Sequence, residues 1–122
     1  MSTSPEVVIN TQTDIFVDKR TGEAFDRESF QRTFIINFAE DKFITTIPST
    51  KEKIISEIKF KEKSVDRLVN EVVIQIRTVN PYTKQNEFYL LWEREEGSYS
   101  LFQELPETNT RIFFSPDSRC VH

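Results

Sequence analysis

Few residues in this chain have the chemistry of a catalytic base, a reactive nucleophile or a zinc ligand. The one histidine is His122, the last residue, and the one cysteine is Cys120. A Ser-His-Asp or Cys-His arrangement would need its base at a frayed terminus, so the sequence predicts neither. Cys120 and His122 form a C-x-H pair, but a zinc site needs more ligands and the sequence has no second pair. We therefore predict no catalytic residue, no metal site and no cofactor.

Acidic side chains are plentiful, and two carboxylates that point into one cavity could carry out acid–base chemistry. Sequence spacing does not show that any two converge, and exposed carboxylates are the rule for strand and turn residues. The candidates in or near predicted strands are Asp41, Glu57, Asp66, Glu71, Glu87, Glu93 and Glu104. Gly22 and Gly97 are too few to build a Gly-rich phosphate loop. We expect a protein that is not an enzyme, with a carboxylate-based hydrolase as the enzymatic alternative.

Aromatic side chains give the better functional hypothesis. They cluster in one hairpin and the strand after it, and they could line a pocket for an apolar ligand or a patch for a protein partner. Trp92 alternates with Phe88 and Leu90, which favours a core position for it. Tyr82 follows Pro81 in a turn, where an aromatic has little core to reach and is a contact candidate. The candidate ligand- or partner-binding residues are Tyr82, Tyr89, Trp92, Tyr99 and Phe102.

The hairpin that would position these aromatics is the stretch 70–94, NEVVIQIRTVNPYTKQNEFYLLWER. Two β-rich arms flank Asn80, Pro81 and a run of polar residues, which indicates an antiparallel hairpin. Alternation puts Val72, Ile74 and Ile76 on one face of the first arm, and Phe88, Leu90 and Trp92 on one face of the second. The opposite faces are partly apolar as well. This pattern predicts a central pair of strands, covered on one side by the core and partly on the other by loops or a partner.

Strict alternation also predicts strands over 29–38 and 54–60. The first segment places Phe30, Phe34, Ile36 and Phe38 on one face, and the second places Ile54, Ser56, Ile58 and Phe60 on one face. Lys59, Lys61 and Lys63 would form a basic face, typical of a solvated strand and alternatively a site for phosphate or an acidic partner. The segment 49–71 also contains helical spacing, so we predict at most a short helical turn near 64–69.

These elements predict an all-β fold, an antiparallel meander of about seven to nine strands closing into a small barrel or flattened sandwich. We expect a disordered N-terminus at 1–5, a single β domain at 6–115 and a C-terminal tail at 116–122. The eleven Phe residues would fill the core between sheet faces. The strand count and order are compatible with a lipocalin-like barrel. The sequence carries no signature of that family, because the first strand lacks Gly-x-Trp and no early helix pair occurs.

Charge and composition exclude several classes of partner. A net charge of -4 and a pI near 5.1 argue against nucleic acid, because phosphate binding needs a concentrated positive surface. The N-terminal residues lack the features of a signal peptide, and no apolar run approaches the length of a membrane span. A single cysteine excludes an intrachain disulfide. We therefore expect a cytoplasmic protein with no membrane partner.

The function that the sequence favours is a non-enzymatic binding module that recognises a protein partner through aromatic-bearing loops or an exposed sheet face. The alternative is a lipocalin-like carrier of a small apolar ligand, with its site in a barrel cavity. A homodimer through a sheet face or edge is a further arrangement that the sequence allows. An enclosed apolar cavity would favour the carrier, whereas a filled interior with an apolar outer patch would favour the partner module.

Overall fold

The computed structural model describes residues 6–117, and eight antiparallel strands in it form a closed barrel. The strands are β1 (Val7–Asp18), β2 (Ala24–Asn37), β3 (Lys42–Ile47), β4 (Glu52–Asp66), β5 (Glu71–Val79), β6 (Asn86–Glu93), β7 (Tyr99–Leu105) and β8 (Thr110–Ser115). Each strand pairs with the next along the chain, and β8 pairs with β1 to close the barrel. The predicted all-β meander is confirmed, and it closes as a barrel and not as a sandwich.

Short turns connect the strands, and each turn contains one residue with positive φ. These residues are Gly22, Asp41, Lys51, Asn70, Lys84, Gly97 and Asn109. Glycine, asparagine and aspartate enter the left-handed region at lower cost than other residues. Most of the turns therefore have a suitable residue at the position with positive φ. The turns fix the pairing register of the hairpins that they join, and the register decides which side chains point inward.

Helix is almost absent from the described residues. The one helical element is a 3-10 turn, Pro106–Thr108, between β7 and β8. Near 64–69, where a short helical turn was the most that we expected, β4 continues to Asp66 and a turn follows at 67–70. The segment up to Asp66 is a strand because β4 pairs with β5 as far as Asp66, which lies opposite Glu71. No helix within residues 6–117 has the length and hydrophobicity that crossing a bilayer requires.

The barrel interior is filled by aromatic and aliphatic side chains from all eight strands. The ring centroids of Phe34 and Phe114 lie 4.8 Å apart, and those of Phe43 and Tyr89 lie 4.3 Å apart in a stacked arrangement. Phe34 and Phe43 meet edge to face at 5.9 Å, which joins the two pairs. The buried apolar residues are Val7, Ile9, Phe34, Ile36, Phe43, Ile58, Ile76, Tyr89, Leu91, Leu101, Ile112 and Phe114.

The predicted core face of β6 is wrong. Tyr89 is 7% exposed and points into the barrel with Leu91, whereas Phe88 is 38% exposed on the outside. Trp92 lies on the same outer face as Phe88 and is only half-buried, so it is not a core residue. Both faces of this strand are apolar, and period-two alternation therefore does not distinguish the inside from the outside. Tyr89 is placed inside by its stacking on Phe43.

Two irregularities in register also move predicted core residues outward. A shift between Ile58 and Phe60 in the β4–β5 ladder leaves Phe60 exposed on the outer face. A second shift lies in the β1–β2 ladder, and Phe30 beside it is exposed. A bulge adds one residue to a strand, so the side chains beyond it move to the opposite face.

Some predictions concern residues that the structure does not describe. These are the disordered segment at 1–5, most of the tail at 116–122, and the Cys120 and His122 pair, all of which lie outside the described residues.

Candidate functional site

The structure separates the five predicted binding residues into three places. Trp92 and Phe102 lie on the outer face of the barrel, as near neighbours on the paired strands β6 and β7. Tyr82 lies in the loop between β5 and β6 and is 75% exposed. Tyr89 and Tyr99 point inward, where each hydroxyl donates to a carboxylate, Glu87 at 3.3 Å and Glu93 at 3.2 Å respectively. The outer face therefore keeps two of the five residues.

Burial changes the acidity of both inward tyrosines. Burial raises the pKa of the Tyr89 phenol well above its ordinary value, and the negative charge of Glu87 raises it further. Burial and then the charge of Glu93 raise the pKa of Tyr99 as well. Both phenols stay protonated near neutral pH and act as hydrogen-bond donors. Both side chains belong to the interior packing, and Tyr89 also contributes to the lining of the groove described below.

The outer face of β4 to β8 carries a cluster of apolar side chains. The cross-strand pairs of Leu90 with Phe102 and of Phe102 with Phe113 form one continuous row. The rings of Phe102 and Phe113 stack with centroids 5.0 Å apart and planes at 29°. We call this cluster the outer aromatic face, and its members are Phe60, Phe88, Leu90, Trp92, Phe102 and Phe113.

A groove of about 590 Å³ lies over part of this face. In the strand register Arg77 lies opposite Phe60 on β4 and opposite Phe88 on β6. Phe88 in turn lies opposite Glu104 on β7. Alternation puts these four side chains on the same outer face, side by side across four strands. Gln75, Leu90 and Pro106 also line the groove, together with Ile76 and Tyr89 of the barrel wall.

Ion pairs border the outer aromatic face at two places. Glu104 accepts two hydrogen bonds from Arg111, at 2.7 and 3.0 Å, and Lys19 Nζ lies 3.3 Å from its Oε1. At the far end of β6, Arg94 Nη1 donates to both carboxylate oxygens of Glu71, at 3.0 and 3.1 Å. The guanidinium carbon of Arg94 also lies 5.6 Å from the Trp92 ring centre. The apolar face therefore has a polar, charge-paired border.

Glu104 should make the free energy of unfolding depend on pH in the acidic range. Partial burial by itself raises the pKa of this carboxyl, but the hydrogen bonds and charges of Arg111 and Lys19 outweigh it and hold the pKa below its usual 4.5. A depressed folded pKa stabilises the protein fully above the unfolded pKa, and this contribution is lost as the pH falls through the folded pKa. We expect the stability gap between wild type and Glu104→Gln to narrow from about pH 6 to about pH 3.

Urea denaturation of both proteins across that pH range measures the gap. Glu107→Gln, in the exposed 3-10 turn beside the same groove, is the matched control. Its stability should change with pH as the stability of the wild type does. A gap for Glu104→Gln that stays constant or widens in acid would contradict the assignment.

Two buried donors of the outer face have no acceptor. Arg77 Nε and Trp92 Nε1 are buried in the protein and make no hydrogen bond within residues 6–117. Arg77 also has no ion pair with any described carboxylate, since Glu104 beside it is held by Arg111 and Lys19. Arg77 is not among the residues predicted from the sequence. Its one signal is a lone charge inside the apolar run VVIQIRTV.

The predicted basic face of β4 is largely neutralised. Lys61 Nζ donates to the Asp41 carboxylate at 2.6 Å and to the Phe38 carbonyl at 2.8 Å. Lys59 pairs with Glu57 on its own strand. These contacts agree with a solvated strand face and give the alternative anion site no support. In the described part of the chain, no group of three or more metal-ligating side chains comes together.

If a protein partner contacts the loop between β5 and β6, Tyr82→Ala should weaken its binding without changing the stability of the barrel. Asn80 Oδ1 accepts the backbone N–H groups of Tyr82 and Thr83, at 2.8 and 3.1 Å, which holds the loop while the Tyr82 ring stays exposed. A stiff aromatic on a held loop loses little entropy when it is ordered by a partner. We expect a loss of binding free energy above about 1 kcal/mol. Calorimetry of binding and of thermal unfolding tests both parts, and lowered stability with intact affinity would contradict the prediction.

Comparison of the chain with protein-family models, with curated proteins and with solved structures finds no match.

Proposed function

We propose that this protein is a non-enzymatic interaction module that binds a protein partner on the outer aromatic face. The observation that carries the proposal is a contiguous apolar cluster, with a groove of about 590 Å³, on the outside of a barrel. Contiguous exposed apolar surface on a small domain is typical of an interaction site. The predicted cytoplasmic location and the absence of a nucleic-acid partner remain part of this proposal.

The arrangement of polar and apolar groups supports a protein partner. Protein interfaces have an apolar, aromatic-rich centre and a polar rim. Here the stacked Phe102 and Phe113 lie near the centre, and the Glu104–Arg111 and Glu71–Arg94 pairs lie toward the border. Large aromatic side chains at such a centre supply most of the binding energy in typical interfaces.

The barrel interior gives less support to the alternative, a carrier of a small apolar ligand. A carrier encloses its ligand in a concave apolar cavity. In this barrel the rings of Phe34, Phe43, Tyr89 and Phe114 meet across the middle, with centroids between 4.3 and 5.9 Å apart. A ligand inside would have to separate these rings, whereas the groove on the outer face is open without any rearrangement.

Affinity purification with matched variants tests the proposal. Phe88→Glu places a charge on the outer aromatic face, and Phe25→Glu makes the same change at an exposed position on β2, which is not a strand of that face. The ring centroids of Phe25 and Phe16 lie 6.4 Å apart, so thermal unfolding of both variants accompanies the comparison. We expect a protein that co-purifies with wild type and with Phe25→Glu, is lost with Phe88→Glu, and binds directly once purified. A partner set that Phe88→Glu leaves unchanged would contradict the proposal.

Native mass spectrometry of the purified protein tests the alternative. A small apolar molecule retained at one copy per barrel, and kept in Phe88→Glu, would favour the carrier. The same spectrum reports whether the protein is a monomer or a dimer.

A further inference from the structure

We infer that the groove on the outer aromatic face binds an extended peptide segment in which a carboxylate is flanked by apolar side chains, and that Arg77 recognises the carboxylate. The inference rests on the proposed function, because it specifies the chemistry of that partner.

Arg77 is an unpaired cation placed between two aromatic rings. Its cross-strand neighbours on the outer face are Phe60 and Phe88, both of them exposed. Its Nε atom is buried without an acceptor, and a buried donor left unsatisfied is costly. A guanidinium offers a planar fork of donors that fits a carboxylate in two parallel hydrogen bonds. A ligand carboxylate in the groove would neutralise the charge, and a rotation of the guanidinium would bring the buried Nε–H to it.

The groove lining contains one carboxylate, and it is already paired. Glu104 lines the same groove, but Arg111 and Lys19 already hold it. A second copy of the chain would bring the same face, with its own Arg77 and an equally committed Glu104. Charge complementarity therefore favours a partner that brings its own acidic side chain over a homodimer through this face. One isolated cation in a protein of net charge -4 also suits a single carboxylate better than a polyanion.

A second unsatisfied donor lies farther along β6, beyond the groove. Trp92 Nε1 is the other buried donor of this face without an acceptor. Trp92 lies four residues along β6 from Phe88, the partner of Arg77, which is about 13 Å in a strand. Leu90 lies between them, beside the stacked Phe102. An extended segment along β6 would place its carboxylate at Arg77, apolar side chains over Leu90, and a backbone carbonyl near Trp92.

Selection from a displayed library of random peptides tests this inference. Peptides are selected on the wild-type protein, synthesised with a fluorescent label, and their Kd values are measured by anisotropy. We expect the selected peptides to share Asp or Glu between apolar residues. The Kd should rise about tenfold or more on Arg77→Gln, and equally when the peptide acid is replaced by its amide. Because both changes remove one contact, combining them should add little more.

Two further variants serve as controls. Arg77→Lys keeps the positive charge without the planar fork, so it should retain part of the affinity. Arg67→Gln removes the same charge from the exposed turn at 67–70, away from the groove, and should leave the Kd unchanged. Thermal unfolding of each variant shows that the barrel is intact when binding is measured.

The outcomes separate the inference from the proposed function. Peptides without a shared acid, weakened by Phe88→Glu but not by Arg77→Gln, would overturn the acidic recognition and leave the apolar binding face standing. Peptides that bind Phe88→Glu as tightly as wild type would overturn both. A library that yields no binder would overturn the inference that the groove binds a peptide. The comparison of Phe88→Glu with Phe25→Glu would still test the proposed function.

Discussion

Replacing Phe43 by alanine is expected to lower the free energy of unfolding of this barrel by about 3 to 5 kcal/mol. The Phe43 ring is almost fully buried, stacks on Tyr89 at 4.3 Å and meets Phe34 at 5.9 Å. Alanine would remove both ring contacts and leave a cavity in the middle of the barrel. Because the ring is held from two sides by other stiff rings, the neighbours can close only a part of that cavity.

Chemical denaturation with urea measures this loss directly. A domain of this size has a total stability of about 5 to 15 kcal/mol, so the variant would lose a large part of it and its Tm would fall by about 10 to 20 °C. Phe60→Ala deletes the same atoms from an exposed ring and should cost well under half as much. Equal losses at the two positions would show that Phe43 does not hold the core together.

The strand positions could be predicted from the sequence because they depend on local patterns. The alternating segment at 29–38 falls within β2 apart from its last residue, and the alternating segment at 54–60 falls within β4. Pro48 lies in the turn between β3 and β4, where a residue without an N–H cannot continue the ladder. Closure of the barrel was one of two predicted outcomes, since a meander of short strands suits either a barrel or a sandwich. The structure resolves this through the pairing of β8 with β1.

The direction in which side chains point could not be predicted with the same success. On β6 the alternating sets of Phe88, Leu90 and Trp92 and of Tyr89 and Leu91 are both apolar, so hydrophobicity does not choose between them. The prediction that Trp92 is a core residue was therefore wrong, and the same ambiguity concealed Tyr89 as a core residue.

Arg77 and Phe60 were missed because their roles depend on distant pairing. Phe60 reaches the outer face only through the register shift beside Ile58, for which the sequence carries no local signal. Arg77 becomes an unpaired cation only because Glu104, on β7, is already committed to Arg111 and Lys19. Local sequence patterns contain neither piece of information.

The second large effect is expected from Asp14→Asn, inside the barrel. Arg32 Nη1 donates to Asp14 Oδ1 at 2.5 Å, and the two side chains are 21% and 5% exposed respectively. The Arg32 guanidinium carbon also lies 4.2 Å from the ring centre of Phe30 and 5.2 Å from that of Phe114. The cation is thus held by one carboxylate and two aromatic rings. Removing the carboxylate charge leaves a largely desolvated guanidinium, at an expected cost of about 3 kcal/mol.

A double-mutant cycle separates the pair from its surroundings. Arg32→Leu alone leaves the Asp14 carboxylate buried without its partner, so it should also destabilise the barrel strongly. Asp14→Asn combined with Arg32→Leu removes both charges. The double variant should therefore lose much less unfolding free energy than the sum of the two single losses. Urea denaturation of the four proteins gives the coupling energy, which we expect to exceed about 1 kcal/mol.

The exposed pair of Lys61 and Asp41 provides the matched comparison, because the same Asp41→Asn change there removes a charge from a half-exposed site. Water and salt screen such a pair, so its loss should cost well under about 1 kcal/mol and shrink further in high salt. The cost of Asp14→Asn should change little with salt, since the buried pair is out of reach of mobile ions. Strictly additive losses in the cycle, or a cost that disappears in salt, would mean that Arg32 is held by its two rings and not by Asp14.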